Sequence, residues 1–395
     1  MKLPPHLTDW LTQARTTTTS PAVRRWSPLV VFIAALVVAT PWLRPLSAPR
    51  FTQSAPLPAL PQHKPSPLAR QDIPAPTPAV HSASLARLGP GRIAAAWFGG
   101  SREGAADVNI FLSVFNGQDW SVPQAILSRQ RVERDTLRLI RKLGNPVLWH
   151  DGHGTLHLWF VSVSYGGWAG SALNHTTSVD GGLTWRKVQR LVTSPFWNIS
   201  TLGHSPPLPL ADGGLALPIY HEFIAKRPEW LRLDSHGQPV DKGRIPAAQR
   251  SLQPTVVSDG QQALMLLRDS SAAHRIRTAR SEDGGRHWSP AQATALPNPD
   301  AGIALLKLAD GSLLLAYNPQ ESNRTRLALS LSVDGGQSWS EPHLIEHGSG
   351  QDEFSYPALL QDDQGRIHLA YTWKREKIAH VSFHPGWLKQ LRGIN

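Results

Sequence analysis

One eight-residue phrase recurs three times along the chain: Ser178 to Trp185 (Ser-Val-Asp-Gly-Gly-Leu-Thr-Trp), Ser281 to Trp288 (Ser-Glu-Asp-Gly-Gly-Arg-His-Trp) and Ser332 to Trp339 (Ser-Val-Asp-Gly-Gly-Gln-Ser-Trp). An Asp followed by two glycines is a turn with a mechanism. The carboxylate accepts hydrogen bonds from backbone N–H groups, and glycine supplies the residues at positive φ. The Trp then fills the apolar gap beside the turn, so each copy is a self-stapled hairpin end. A weaker copy, Ser113 to Trp120, keeps the Ser-to-Trp spacing but carries Phe115 in place of the Asp, with Asn116 beside it.

The spacing of the copies sets the architecture. Ser281 and Ser332 lie 51 residues apart, Ser178 and Ser281 lie 103 apart, and Ser113 and Ser178 lie 65 apart. A repeat near fifty residues built from short strands is a propeller blade. A second series agrees: turn signals precede apolar strands at Pro90-Gly91, Asp151 to Gly154, Asp212 to Gly214, Asp259-Gly260, Asp310-Gly311 and Asp362 to Gly365. Where one box is missing, Asp234-Ser235-His236-Gly237 stands as a degenerate turn. The expectation is an all-β, six-bladed propeller of four-stranded blades between about residue 80 and residue 385.

The chain has no cysteine, so neither disulfides nor thiolate metal sites hold it together. Its net charge of +11 asks for an anionic partner. Lys and Arg are read as scattered, without a groove-reading motif, which argues against nucleic acid and leaves an anionic glycan or a membrane surface. No paired-histidine zinc pattern, calcium loop, phosphate loop or dinucleotide fingerprint is present, so neither metal nor cofactor is expected.

The N-terminus reads as an address. Arg15, Arg24 and Arg25 precede the apolar run from Pro28 to Leu43, flanked by Trp26 and Trp42. This predicts a cytoplasmic tail over 1–25 and a transmembrane anchor over 26–43, with the remainder exported, periplasmic in a bacterium. A cleaved signal peptide is the rival reading. Residues 44–80 are rich in proline and read as an extended linker holding the propeller away from the membrane. The propeller would then occupy 81–385 and a tail 386–395.

The boxes resemble the Asp boxes of sialidases, and the region from about His81 to Phe383 resembles the sialidase-like BNR-repeat propellers. In that family the boxes are structural. The resemblance implies three arginines gripping a substrate carboxylate, a Tyr nucleophile assisted by a Glu, and an Asp acid/base. A neutral phenol suits a sugar whose own carboxylate would repel a carboxylate nucleophile, and Arg grips a carboxylate bidentately. Carried over, Tyr356 is the nucleophile, Arg268 the second arginine, and Arg324 or Arg326 the third. Two positions depart from the pattern. His81 stands where the first arginine would be, and Gln253, which cannot take a proton, stands for the Glu.

The acid/base candidates are Glu103 and Asp107, on the loop after the first hairpin beside Arg102, and Glu222, after the third hairpin strand. His204 opens a strand of the third blade near the channel and is read as a substrate contact. Arg375, where the last blade meets the first, is a candidate to supply the anion contact that His81 lacks. Two functions remain open: a membrane-anchored glycoside hydrolase acting on an acidic sugar or polysaccharide, or a non-catalytic propeller binding an anionic glycan in envelope or exopolysaccharide assembly. Hydrogen-bond reach between Tyr356 and a carboxylate at the channel mouth separates them.

Overall fold

The structure, a computed structural model, describes residues 28–34, 49–52, 68–194 and 198–392. The chain divides into two compact units, Met1–Ser47 and Ala48–Asn395. In the first unit, residues 28–34 are helical, and Leu29, Val30, Val31, Phe32 and Ile33 are exposed. No described helix is long and apolar enough to cross a membrane. The tail over 1–25 and most of the expected span over 26–43 lie outside the described residues.

The second unit is a six-bladed propeller. Blade 1 is β1 (Ala79–Gly89), β2 (Arg92–Gly100), β3 (Asn109–Phe115) and β4 (Gln124–Leu127), antiparallel in chain order. Blades 2, 4 and 5 repeat this order over Lys142–Arg190, Ser251–Pro297 and Ala304–His347. In blade 3 the innermost strand is split into Leu202–Gly203 and Leu208–Pro209, both pairing with Leu215–His221. Each blade's inner strand packs on that of the next, and the inner strand of blade 6, Phe354–Gln361, packs back on β1. The ring is therefore closed, with the six inner strands around its axis.

The core sits between blades. Among the described residues, six apolar layers each join two neighbouring blades; Phe98, Ile110, Leu148 and Phe160 lie in the first, between blades 1 and 2, and Leu329, Leu369 and Phe383 in that between blades 5 and 6. Alternation along each strand supplies both faces, so the second strand of each blade is buried on two sides.

The boxes form as their chemistry demands. In blade 2, Ser178 Oγ donates to Asp180 Oδ1 (2.7 Å) and accepts from Gly182 N (2.8 Å); Thr184 N donates to Asp180 Oδ1 (2.9 Å), and the Trp185 indole donates to Gly182 O (3.0 Å). Asp283 and Asp334 repeat the bonds to the carboxylate, while the Trp288 indole is buried without a partner. The degenerate turns use substitutes: Asn116 Oδ1 accepts from Gln118 N and Asp119 N, and Asp234 Oδ1 from His236 N and Gln238 N.

Two stretches differ from the expectation of a free linker and tail. Ala69–Arg70 pairs antiparallel with Lys377–Phe383 as the fourth strand of blade 6, and Ile73 bridges Ile378. Phe51 is 3% exposed, bridges Leu210 in blade 3, and donates its backbone N–H to Gly260 O at 3.2 Å. At the other end Trp387 and Leu388 are buried in the layer between blades 5 and 6. The prolines break regular structure without preventing short apolar segments from docking.

Candidate functional site

A repeated irregularity builds the site. The inner pair of strands slips register between His81 and Ser84, Gly144 and Val147, Leu252 and Thr255, and Ser355 and Ala358. At these bulges Ser82, Asn145, Gln253 and Tyr356 take positive φ of 56°, 46°, 44° and 53°. In three of them the next residue is proline (Pro146, Pro254, Pro357), which has no N–H to give to the ladder, so the extra residue is displaced from it. The result brings Asn145, Gln253 and Tyr356 from blades 2, 4 and 6 into one hydrogen-bonded cluster.

The cluster is centred on Arg268, at the end of the second strand of blade 4. Its Nη1 donates both to Gln253 Oε1 (3.0 Å) and to the Tyr356 phenol (3.2 Å), and its Nε donates to Asp300 Oδ1 (2.6 Å). Burial lowers the proton affinity of this guanidinium, but Tyr356 and Asp300 outweigh it and hold Arg268 above its ordinary value. Its Nη2 makes no hydrogen bond within the described chain. Beneath, Asn145 Nδ2 donates to the Tyr220 hydroxyl (3.0 Å), and Gln253 Nε2 reaches the same oxygen at 3.5 Å. Burial pushes the Tyr220 phenol well up, so it stays protonated.

Two imidazoles meet the Tyr356 ring edge-on, His81 at 4.5 Å and His204 at 5.3 Å between centroids. Burial, ahead of the neighbouring charges, pushes His81 down to about 4 and His204 down to about 3, so both are neutral at pH 7. Gly302 completes the wall. A Cβ there would stand 3.2 Å from Gln253 Oε1, 3.2 Å from Tyr356 and 3.4 Å from His204 Nε2, so three side chains close on bare backbone.

A second layer holds the other arginines. Arg324 lies 5.6 Å over the Tyr356 ring and donates to Glu353 Oε1 (3.0 Å) and to Asp300 O (2.7 Å), so of the two candidates it is Arg324 that stands beside Tyr356. Arg375 grips Glu353 (2.7 Å) and Glu103 (2.6 Å). Burial alone would raise the Glu353 carboxyl, but hydrogen bonds from Arg375 and Ser355 and the charge of Arg324 hold it down at about 2. Three guanidinium groups thus face three carboxylates, and the arginines are fixed in place before any ligand arrives.

The expected site residues divide accordingly. Tyr356, Gln253, Arg268, Arg324, His81 and His204 come together, and Glu103 and Arg375 pair at the rim. Glu222 feels Lys226, Arg268 and Asp300, and burial raises its carboxyl despite the nearby cations. Asp107 accepts from Ser101 N (2.9 Å) and Ser101 Oγ (3.0 Å), bonds that, with the backbone contribution largest, lower its carboxyl and tie it to its own turn. Arg326 is exposed on the third strand of blade 5, opposite His347, while the neighbouring Arg324 occupies the site. Arg102 makes no ion pair among the described residues. Among the described residues no carboxylate hydrogen-bonds the Tyr356 phenol, whose partner is Arg268. No group of His, Asp and Glu among them could hold a metal ion.

Sequence reasoning assigned no role to Asn145, Tyr220, Asp300 or Glu353. The repeated amide-or-phenol-then-proline pair at 145–146, 253–254 and 356–357 was the available signal for the first. Asp300 and Glu353 act through pairing across blades, which no local pattern announces.

The architecture is shared widely. A sialidase of Hadza microbial origin, Hz136, superposes with a TM-score of 0.66 at 18% identity, over 79% of this chain and 66% of that one, so the chain spans about two thirds of that sialidase. A Dyadobacter fermentans protein of unknown function gives 0.65 at 13% identity, over 80% and 99%. The intramolecular trans-sialidase of Ruminococcus gnavus gives 0.61 at 15% identity, over 78% and 95%. At such identities the likeness is one of fold. No curated protein sequence matches the chain. The family model of the BNR repeat-like domain matches residues 91–369, from the second strand of blade 1 into blade 6, and the chain belongs to that family.

Proposed function

We propose that the propeller binds an acidic sugar of a glycan at the mouth of its central channel. The observation that carries this reading is Arg268: one nitrogen fixes Tyr356 and Gln253, another fixes Asp300, and Nη2 is left to donate to a carboxylate. Around it stand the planar amides, phenols and neutral imidazoles that hydrogen-bond sugar hydroxyls without a desolvated charge of their own. Similar folds named as sialidases support the choice of an acidic sugar. Calorimetric titration with N-acetylneuraminate, galacturonate and galactose tests it. Acidic sugars should bind and galactose should not, with Arg268→Gln removing the difference; equal binding of all three would sink the reading.

Hydrolysis is a second reading, favoured by the Tyr356–Arg268 pair and by the raised carboxyl of Glu222. A guanidinium donates to the phenol at 3.2 Å, and a carboxyl raised by burial suits a general acid. Against it stands Gln253, an amide where proton abstraction needs a base. Binding therefore ranks first. An exported, membrane-anchored setting remains part of the proposal, carried by the sequence between Arg15 and Leu43.

A further inference from the structure

A group of cations without salt-bridge partners among the described residues lies beside the mouth. The loop after β2 and the segment joining blades 1 and 2 enclose a cleft of about 410 Å³, lined by Arg102, Arg129, Arg141 and Lys142 with the small residues Gly104 to Ala106 between them. Its size falls in the roughly 300–1,000 Å³ range of ligand pockets. None of the four cations makes an ion pair among the described residues, in contrast to Arg268, Arg324 and Arg375, each matched to a carboxylate. Arg129 Nε is buried without a hydrogen-bond partner. Lys142 Nζ rests 4.2 Å over the Trp168 ring, and Glu103 and Glu222 are the carboxylates that act on it from a distance. Asp107 acts on Arg102 in the same way, without an ion pair, so the charged heads of the four cations remain available to donate to an anionic ligand.

The cleft is continuous with the rim of the site. Arg102 also lines an adjoining hollow of about 240 Å³ that holds His81, Glu103 and Arg375. A glycan residue leaving the mouth past Glu103 therefore meets Arg102 next and then the three cations behind it. We propose that this cleft is a second anion subsite, which holds the carboxylate, sulfate or phosphate of the adjacent residue of a polyanionic glycan whose first acidic sugar occupies the mouth. The proposal rests on the reading of the mouth given above. It makes the ligand a repeating polyanion instead of a single terminal acid.

Titration of the full chain with galacturonate, tetragalacturonate and a sulfated dextran tetrasaccharide, in the parent and in Arg129→Gln/Arg141→Gln, tests it. Both substituted residues lie outside the mouth, and unfolding temperature checks that the fold is kept. The parent is expected to bind one tetrasaccharide at least about tenfold more tightly than the monosaccharide, the worth of one charge-assisted contact, with a steep salt dependence. The double variant should lose that gain and the salt dependence while keeping its affinity for galacturonate. Preference for the carboxylated or the sulfated chain identifies the anion. A tetrasaccharide no tighter than the monosaccharide, or a gain that survives the double substitution, overturns the proposal. Binding to phosphatidylglycerol vesicles that the variant loses, unmatched by either oligosaccharide, would overturn it in favour of a lipid surface. If Arg268→Gln leaves galacturonate binding intact while the cleft variant weakens tetrasaccharides, the cleft stands and the reading of the mouth falls.

Discussion

At the scale of single residues, the chemistry of the mouth turns on Gln253. It accepts from Arg268 Nη1, which also donates to the Tyr356 phenol, so the amide and the phenol share one guanidinium nitrogen. Gln253→Glu keeps the shape, supplies the base and pairs it with Arg268. The variant is expected to hydrolyse aryl glycosides of acidic sugars about a hundredfold faster than the parent, the usual worth of a positioned general base. Adding Tyr356→Phe should abolish the gain, and a variant no faster than the parent would remove the hydrolytic reading. Glu353 supports a different expectation. Its carboxyl is depressed to about 2, so the native state gains from it above the ordinary carboxylate range and loses that gain as pH falls through its folded value. Unfolding temperatures measured from pH 5 to pH 2 should fall more steeply in the parent than in Glu353→Gln; parallel curves would contradict the assignment. The strand positions of Tyr356 and Arg268 were legible because each lies in a local phrase tied to an Asp-Gly hairpin. Asp300 and Glu353 were not, because their roles come from blades folded together.

At the scale of elements, the boxes and hairpin turns were readable because each is specified within eight residues, and even the degenerate copies found substitutes in Asn116 and Asp234. The bulges were half readable, through the prolines that follow them. The N-terminal strap was not, since its proline content masks two short docking segments. Phe51 is buried against Trp230, with ring centroids 6.2 Å apart, and Ala69–Arg70 supplies the outer strand that closes blade 6. Phe51→Ala is expected to cost about 3 kcal/mol by cavity formation. A chain beginning at residue 81 should unfold at lower temperature than one beginning at residue 48, because blade 6 then has three strands and an open edge. Equal unfolding temperatures would show the strap to be dispensable. The cationic segment from Arg129 to Lys142 was also missed. Six of its residues are Arg or Lys against two acids, a local excess that an average over the chain conceals.

At the scale of the whole molecule, repeat spacing sufficed for the number of blades because a closed ring leaves few ways to arrange six equivalent units. The ring also buries an unusual set of neutral imidazoles. Burial holds His175 and His380 down at about 3 as it does His81 and His204, and His157 and His368 are lowered with them. His81, His175, His204 and His380 bind a proton in the unfolded chain near pH 6.5 but in the native one only at about pH 4 or below, so stability should fall steadily as pH drops from about 6.5 towards 4, with proton uptake on unfolding. Denaturant unfolding at pH 7.0 and 5.0 measures this, and equal stability at both would contradict the neutral assignments. The central claim, that the channel mouth receives an acidic sugar, is tested most directly by a crystal structure with N-acetylneuraminate or galacturonate bound. The sugar's carboxylate is expected on Arg268 Nη2 and its ring beside Tyr356 and Gln253. A sugar seated elsewhere on the propeller, or one whose carboxylate turns away from Arg268, would contradict it.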